Sequence, residues 1–259
     1  MIRTLFIIAG AALVLCVAAL GGAVALGGSD LQRHGWAWTV RHDDSGSVRI
    51  ERVRGGTADL GPVVTRTLAW DGERTLRVDA AIDVDYVQGD AASVVITGPK
   101  GVADRVRLEN GRLFLADGAE RAIVTWNRHG VNGRSESDAL RVVVTAPDVD
   151  RFQVNGSGDL SIAGYDRPAL AIDIAGSAEV RASGRTDALD LDISGSGDAD
   201  LEDLATGTAK VDLSGSGDAR IAPTGETAVS ISGSGDVALT DRPSKLTTDI
   251  AGSGDVYQD

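Results

Sequence analysis

The sequence predicts an all-β protein, a parallel β-helix or β-solenoid, and three observations carry that expectation. A four-residue segment recurs through the second half of the 259-residue chain as Gly156-Ser157-Gly158-Asp159, Gly195-Ser196-Gly197-Asp198, Gly215-Ser216-Gly217-Asp218, Gly233-Ser234-Gly235-Asp236 and Gly252-Ser253-Gly254-Asp255, with a degenerate copy at Gly176-Ser177-Ala178-Glu179. The first glycines lie 20, 19, 20, 18 and 19 residues apart, and self-similarity at such a period marks a repeat architecture. Ahead of each copy, apolar and polar residues alternate: Leu189, Leu191 and Ile193, then Val211 and Leu213, then Val229 and Ile231, interleaved with Asp190, Asp192, Asp212 and Ser230. This is the period of a half-buried strand. Finally, the chain holds 33 glycines but only 4 % aromatic residues, so its fold must rest on backbone geometry and aliphatic side chains.

Taken from the N-terminus, the first element is apolar. Arg3 precedes a run without charge from Thr4 to Ser29, which has the form of an export signal and the length of a membrane-spanning helix. Residues 1–28 are therefore expected to be a signal peptide, with Ala23-Val24-Ala25 as its cleavage site, or an uncleaved N-terminal hydrophobic helix that anchors the chain through residues 4–28. Cys16, the single cysteine, follows Leu15 where a lipidation site wants a small residue, and reads as a small membrane hydrophobe. One cysteine excludes a disulfide scaffold and a Cys-based zinc site. Either reading of the run places the rest of the chain outside the cytoplasm, in the periplasm or at the cell surface.

Residues 29–66 read as a juxtamembrane or N-terminal segment. The solenoid domain is expected over 67–259, with regular repeats over 151–259. Its first part is a less regular β region, with strand signals at 76–78, 82–84, 94–96, 113–115 and 140–144 separated by turns with Gly or Asp. In the repeats each unit of about 19 residues reads as strand, Gly-Ser-Gly corner, strand and turn, with turns at Thr206-Gly207, Thr224-Gly225-Glu226 and Asp241-Arg242-Pro243. One such unit cannot bury its apolar face alone; stacked units bury it in a continuous column. The structural turn residues are Gly156, Gly158, Gly176, Gly195, Gly197, Gly215, Gly217, Gly233, Gly235, Gly252 and Gly254, because a corner stacked in every rung leaves little room for side chains. An antiparallel sandwich is the rival architecture, but its corners need not be identical.

The run from Leu76 through Asp90, followed by Val94-Val95-Ile96-Thr97-Gly98-Pro99, resembles the opening of the bacterial putative auto-transporter adhesin head GIN domain family. The Gly-Ser-Gly-Asp segments resemble its second half, so the likeness spans roughly 68–257. It implies an exported, envelope-associated β-helical protein and brings no catalytic residues. Only the corner at Ala178 and Glu179 departs from the pattern.

Charge and chemistry narrow the function. The net charge is −13, most of it in residues 151–259, and this argues against a nucleic-acid partner. By strand parity Asp159, Asp198, Asp218, Asp236 and Asp255 point outward, with a second outward column at Asp173, Asp192, Asp212 and Asp249. Two readings stand. Each turn carboxylate accepts backbone N–H groups at its own turn, or the column is a calcium ladder, since hard cations take several carboxylate oxygens. Repulsion does not demand a cation, because unit charges ~4 Å apart cost only about 1 kcal/mol in water. No pair of carboxylates stands out for glycosidase chemistry, Arg181 and Arg220 are the sole rung-borne bases for a lyase, and no nucleophile elbow or phosphate loop occurs. The expectation is a non-enzymatic exported envelope protein, adhesion-like or scaffolding, without a cofactor, whose partner is an envelope protein or glycan. The alternative is a calcium-dependent carbohydrate-binding or carbohydrate-processing β-helix. The last rung, at Asp255-Val256-Tyr257, presents an edge that another chain could extend.

Overall fold

Alternating apolar positions stack into columns in the computed structural model, which describes residues 61–117 and 137–258 and the backbone of strands at 36–42, 48–53, 120–127 and 130–135. The expected N-terminal helix and anchor at 4–28, with Cys16 and the cleavage site, lie outside the described residues. Among the described residues, no helix is long and apolar enough to cross a membrane.

The strands fall into two units. In the smaller, β1 (Trp36–His42), β2 (Val48–Val53), β9 (Glu120–Asn127) and β10 (Gly130–Ser135) form an antiparallel sheet in the order β10-β9-β1-β2. The sequence reading assigned 29–66 to a separate segment and 120–135 to the solenoid domain; backbone pairing joins strands from both in one sheet. The boundary at 67 also falls inside a strand, β3 (Val63–Ala69). Pairing between strands distant in sequence leaves no local signature, which is why the chain alone did not disclose this sheet.

The larger unit begins with β3, β4 (Thr75–Asp79), β5 (Asp83–Gln88), β6 (Ser93–Pro99), the short helix α1 (Lys100–Ala103), β7 (Val106–Glu109) and β8 (Arg112–Leu115), and continues with β11 (Arg141–Ala146) and β12 (Arg151–Gly156). Here pairing is mixed. β6 runs antiparallel to β3 and β11, and β7 to β8, while β5 with β11 and β4 with β12 are parallel. The repeats follow as β13 (Leu160–Gly176), β14 (Glu179–Gly195), β15 (Asp198–Gly215), β16 (Ala219–Pro223), β17 (Glu226–Gly233), β18 (Val237–Leu239), β19 (Lys245–Gly252) and β20 (Val256–Gln258). All their mutual pairings are parallel, forming a β-solenoid of about 5 turns.

Register explains the core. Leu76, Phe152, Ile172, Leu191, Val211 and Val229 are successive strand partners, as are Val78, Val154, Ile174, Ile193, Leu213 and Ile231, and all are buried. Each rung thus covers the apolar face of the one before it, and the hydrophobic gain accrues along the stack. Aromatics fill the core of the first rungs: Phe152 meets Tyr86 edge-on at 4.9 Å and Tyr165 at 6.3 Å. Both phenols are satisfied, Tyr86 donating to the Ala146 carbonyl at 2.8 Å and Tyr165 to that of Ala169 at 2.6 Å. Burial pushes the Tyr86 phenol up to about 12 and the Tyr165 phenol up as well.

Thr224-Gly225 and the 240–244 segment interrupt the strands, and Thr206-Gly207 forms the same corner one rung earlier, its carbonyls accepting from the Thr224 and Gly225 N–H groups at 3.0 and 2.7 Å. β15 continues through this corner and, before it, shifts register against β16 between Leu201 and Ala205, where the ladder is locally interrupted.

Candidate functional site: the acidic repeat face

The corner of each rung is set by two stacked glycine columns. Gly156, Gly176, Gly195, Gly215, Gly233 and Gly252 all have φ between +127° and +150°, angles that side-chain-bearing residues rarely adopt. The columns are also closed sterically: a Cβ on Gly215 would lie 2.0 Å from the Gly195 carbonyl oxygen, and one on Gly217 would lie 1.9 Å from that of Gly197. The same crowding holds at Gly158 against Ile82, Gly197 against Ala178, Gly235 against Gly217 and Gly254 against Gly235. Ala178 occupies the second column at its rung and is buried.

These corners fix the position of the acidic residue that follows. Asp159, Asp198, Asp218 and Asp255 are exposed and Asp236 is half-buried. Their carboxylates reach along the stack: the Asp218 N–H donates to Asp198 Oδ1 at 2.9 Å, the Asp236 N–H to Asp218 Oδ1 at 2.8 Å, and the Asp255 N–H to Asp236 Oδ1 at 2.8 Å. This corrects the expectation that each carboxylate serves its own turn. The acceptor belongs to one rung and the donor to the next, so the side chain ties rungs together. Parallel stacking brings the next turn's N–H over the carboxylate, a contact that spacing within one turn does not reveal.

The ladder has a break and an extension. At the degenerate corner the Asp198 N–H turns to the Ala178 carbonyl at 3.0 Å, and Glu179 forms an ion pair with Arg181. Toward the N-terminus the Asp159 N–H donates to Asp83 Oδ1 at 3.2 Å. Asp83 was missed in the sequence because Gly-Ser-Gly does not precede it. Its signal was the alternating Val84 and Tyr86 after it, in phase with Leu160 and Ile162.

The second outward column runs in register through Gln153, Asp173, Asp192, Asp212, Ser230 and Asp249. Asp173 accepts from Arg151 at 2.9 Å and from Gln153 at 3.0 Å, and Asp212 pairs with Lys210. Asp192 lies between these two carboxylates. Partial burial, and then the charges of Asp173 and Asp212, hold its carboxyl above the usual aspartate value.

On the other face Arg181, Asp200 and Arg220 are successive strand partners. A cleft of about 210 Å³ opens there, lined among others by Glu179, Asp198, Asp200, Asp218, Arg220 and Tyr257. Asp200 Oδ1 is buried and, among the described residues, has no hydrogen-bond partner, while Tyr257 is 45 % exposed. Among the described residues no three His, Cys, Asp or Glu side chains converge as a metal-binding group. The ladder carboxylates Asp198, Asp218 and Asp236 each commit one oxygen to a backbone N–H.

Over residues 74–243 the chain matches the family described as "putative auto-transporter adhesin, head GIN domain". Among solved structures it is similar to a "putative adhesin" from Bacteroides fragilis, with TM-score 0.56 and 16 % identity over 76 % of this chain and 97 % of that one. It is also similar to a "putative lipid binding protein" from Parabacteroides distasonis (TM-score 0.43, 16 % identity, 77 % of this chain and 97 % of that one). A "putative adhesin" from the same species gives TM-score 0.42 and 15 % identity over 77 % and 98 %. At 16 % identity the likeness to the Bacteroides fragilis protein speaks to the fold alone. No curated protein matches this chain.

Proposed function

The chain belongs to the family of the auto-transporter adhesin head GIN domain, and we propose that it is a non-enzymatic β-solenoid exported to the cell envelope, where it binds or scaffolds through its acidic repeat face. The observation that carries this reading is the register of Asp173, Asp192 and Asp212 on adjacent rungs. Strands about 4.8 Å apart hold these carboxylates in a straight row on a stiff support. Such a row suits an extended or repetitive partner, an envelope protein with basic groups or a glycan, better than one small molecule. The net negative charge of the repeats, offset on this column, among the described residues, only by Arg151 and Lys210, also speeds encounter with a basic partner in a salt-dependent way. The apolar run at 4–28 and the family membership support export, to the periplasm or the cell surface, with membrane association where the run is retained.

Co-sedimentation with an envelope fraction from cells lacking the protein tests the reading. The full chain should co-sediment, and the Asp173→Asn/Asp192→Asn/Asp212→Asn variant should lose most of that binding, about tenfold, as should the parent in 0.5 M salt, roughly as screening of exposed charge requires. Equal binding by the variant would sink it. The calcium-dependent carbohydrate alternative draws on the cleft, where Asp200 Oδ1, beside Arg220 and Tyr257, lacks a partner among the described residues. Binding that needs millimolar calcium, or shortening of envelope polysaccharide by the protein, would favour that alternative.

A further inference from the structure

Each rung of the solenoid is covered by the next until β19 and β20. Among the described residues β19 pairs only with β17, and β20 only with β18. Among the described residues nothing pairs with their outer edges, which leaves backbone N–H and C=O groups open to another strand. Among the same residues no further member continues the apolar columns. Leu246 continues the column of Leu170, Leu189, Ala209 and Thr227, and Ile250 continues that of Ile174, Ile193, Leu213 and Ile231. The earlier members are buried, but Leu246 is 44 % and Ile250 42 % exposed.

We propose that this edge is the contact between two copies of the chain, joined by antiparallel pairing of β19 with β19 about a two-fold axis through Thr248. The pattern of β19 selects both the partner and the register. Because side chains alternate, only an axis through a residue keeps inward positions opposite inward positions. With the axis at Thr248, Leu246 of each copy faces Ile250 of the other, and the two cores become continuous. Lys245 then lies diagonally across from Asp249, an opposite-charge neighbour. Moving the axis to Asp249 sets two aspartates face to face, and moving it to Thr247 sets Leu246 against Thr248. The edge is thus self-complementary in both apolar and charged positions, which a two-fold contact requires, and it closes at two copies, whereas head-to-tail stacking grows without limit.

The test uses the full chain in detergent, so that every variant carries the same N-terminal run. Light scattering should give twice the protein mass for the parent and a single mass for Ile250→Lys, and the parent's melting temperature should rise with protein concentration while the variant's does not. In a Cys16→Ser background, Thr248→Cys should form a disulfide-linked dimer on oxidation, while Ser214→Cys, on an outward position of an inner rung, should not. A monomeric parent, an Ile250→Lys variant that stays dimeric, open-ended growth with concentration, or equal cross-linking at 248 and 214 would each overturn the proposal.

Discussion

At Gly215 two constraints meet, a φ of +133° and a carbonyl oxygen 2.0 Å from where a Cβ would stand. Gly164 separates them: its φ is +65°, but among the described residues nothing lies within 4 Å of a Cβ built there. Gly164→Ala should therefore cost only backbone strain, about 1 kcal/mol, while Gly215→Ala should cost about 2–4 kcal/mol because a rung must also move. Thermal or urea melting measures both, and equal losses would show that stacking against the previous corner is not what excludes a side chain. That these glycines form corners was legible in their spacing. So was their stacking on the corners one rung away; the direction in which each carboxylate leans was not, since sequence period gives the repeat alone. Asp83 shows the same limit: it joins the aspartate ladder without the glycines that marked the other members.

Between elements, the unit of interaction is the column. The Asp173, Asp192 and Asp212 column joins β13, β14 and β15. Asp192 has its carboxyl raised above the usual value, by burial first and then by both neighbours. A folded-state value above the unfolded one means that the ionised side chain weakens the fold once pH exceeds the folded value, and that the penalty is absent below the usual aspartate range. Asp192→Asn should then raise the melting temperature at pH 7 by roughly 2–4 °C at most, for about 1 kcal/mol in a domain of this size, and exposure keeps the gain small. The gain should vanish toward pH 3. A melting profile in which the variant's advantage is independent of pH would contradict this origin. The strands themselves were readable from alternation, β5, β6 and β11 among them. The four-stranded antiparallel sheet was not, because β1 and β9 meet across some eighty residues and each alone looks like any short strand. The register shift of β15 between Leu201 and Ala205 was equally hidden, since no Gly or Pro marks it.

For the whole molecule, the excess of glycine and the acidic charge have one architectural explanation. Glycine lets the corners stack, stacking aligns the aspartates, and alignment turns a diffuse charge into rows on a stiff face. Family and fold class could be seen in the repeat, whereas the binding partner could not, because a periodic surface is written by the same residues that build the fold. The central claim is that the motif aspartates are clamps between rungs that work without a metal ion. Melting of the parent, Asp218→Asn and Asp218→Ala, each with a chelator and with millimolar calcium, tests it most directly. An amide oxygen can still accept from the Asp236 N–H, which lies 2.8 Å from Asp218 Oδ1, so Asp218→Asn should melt near the parent. Asp218→Ala leaves that N–H to water and should lose about 1 kcal/mol, with calcium changing none of the three. If Asp218→Asn melts as low as Asp218→Ala, and calcium raises only the parent, the ladder is a metal site and the clamp account is wrong.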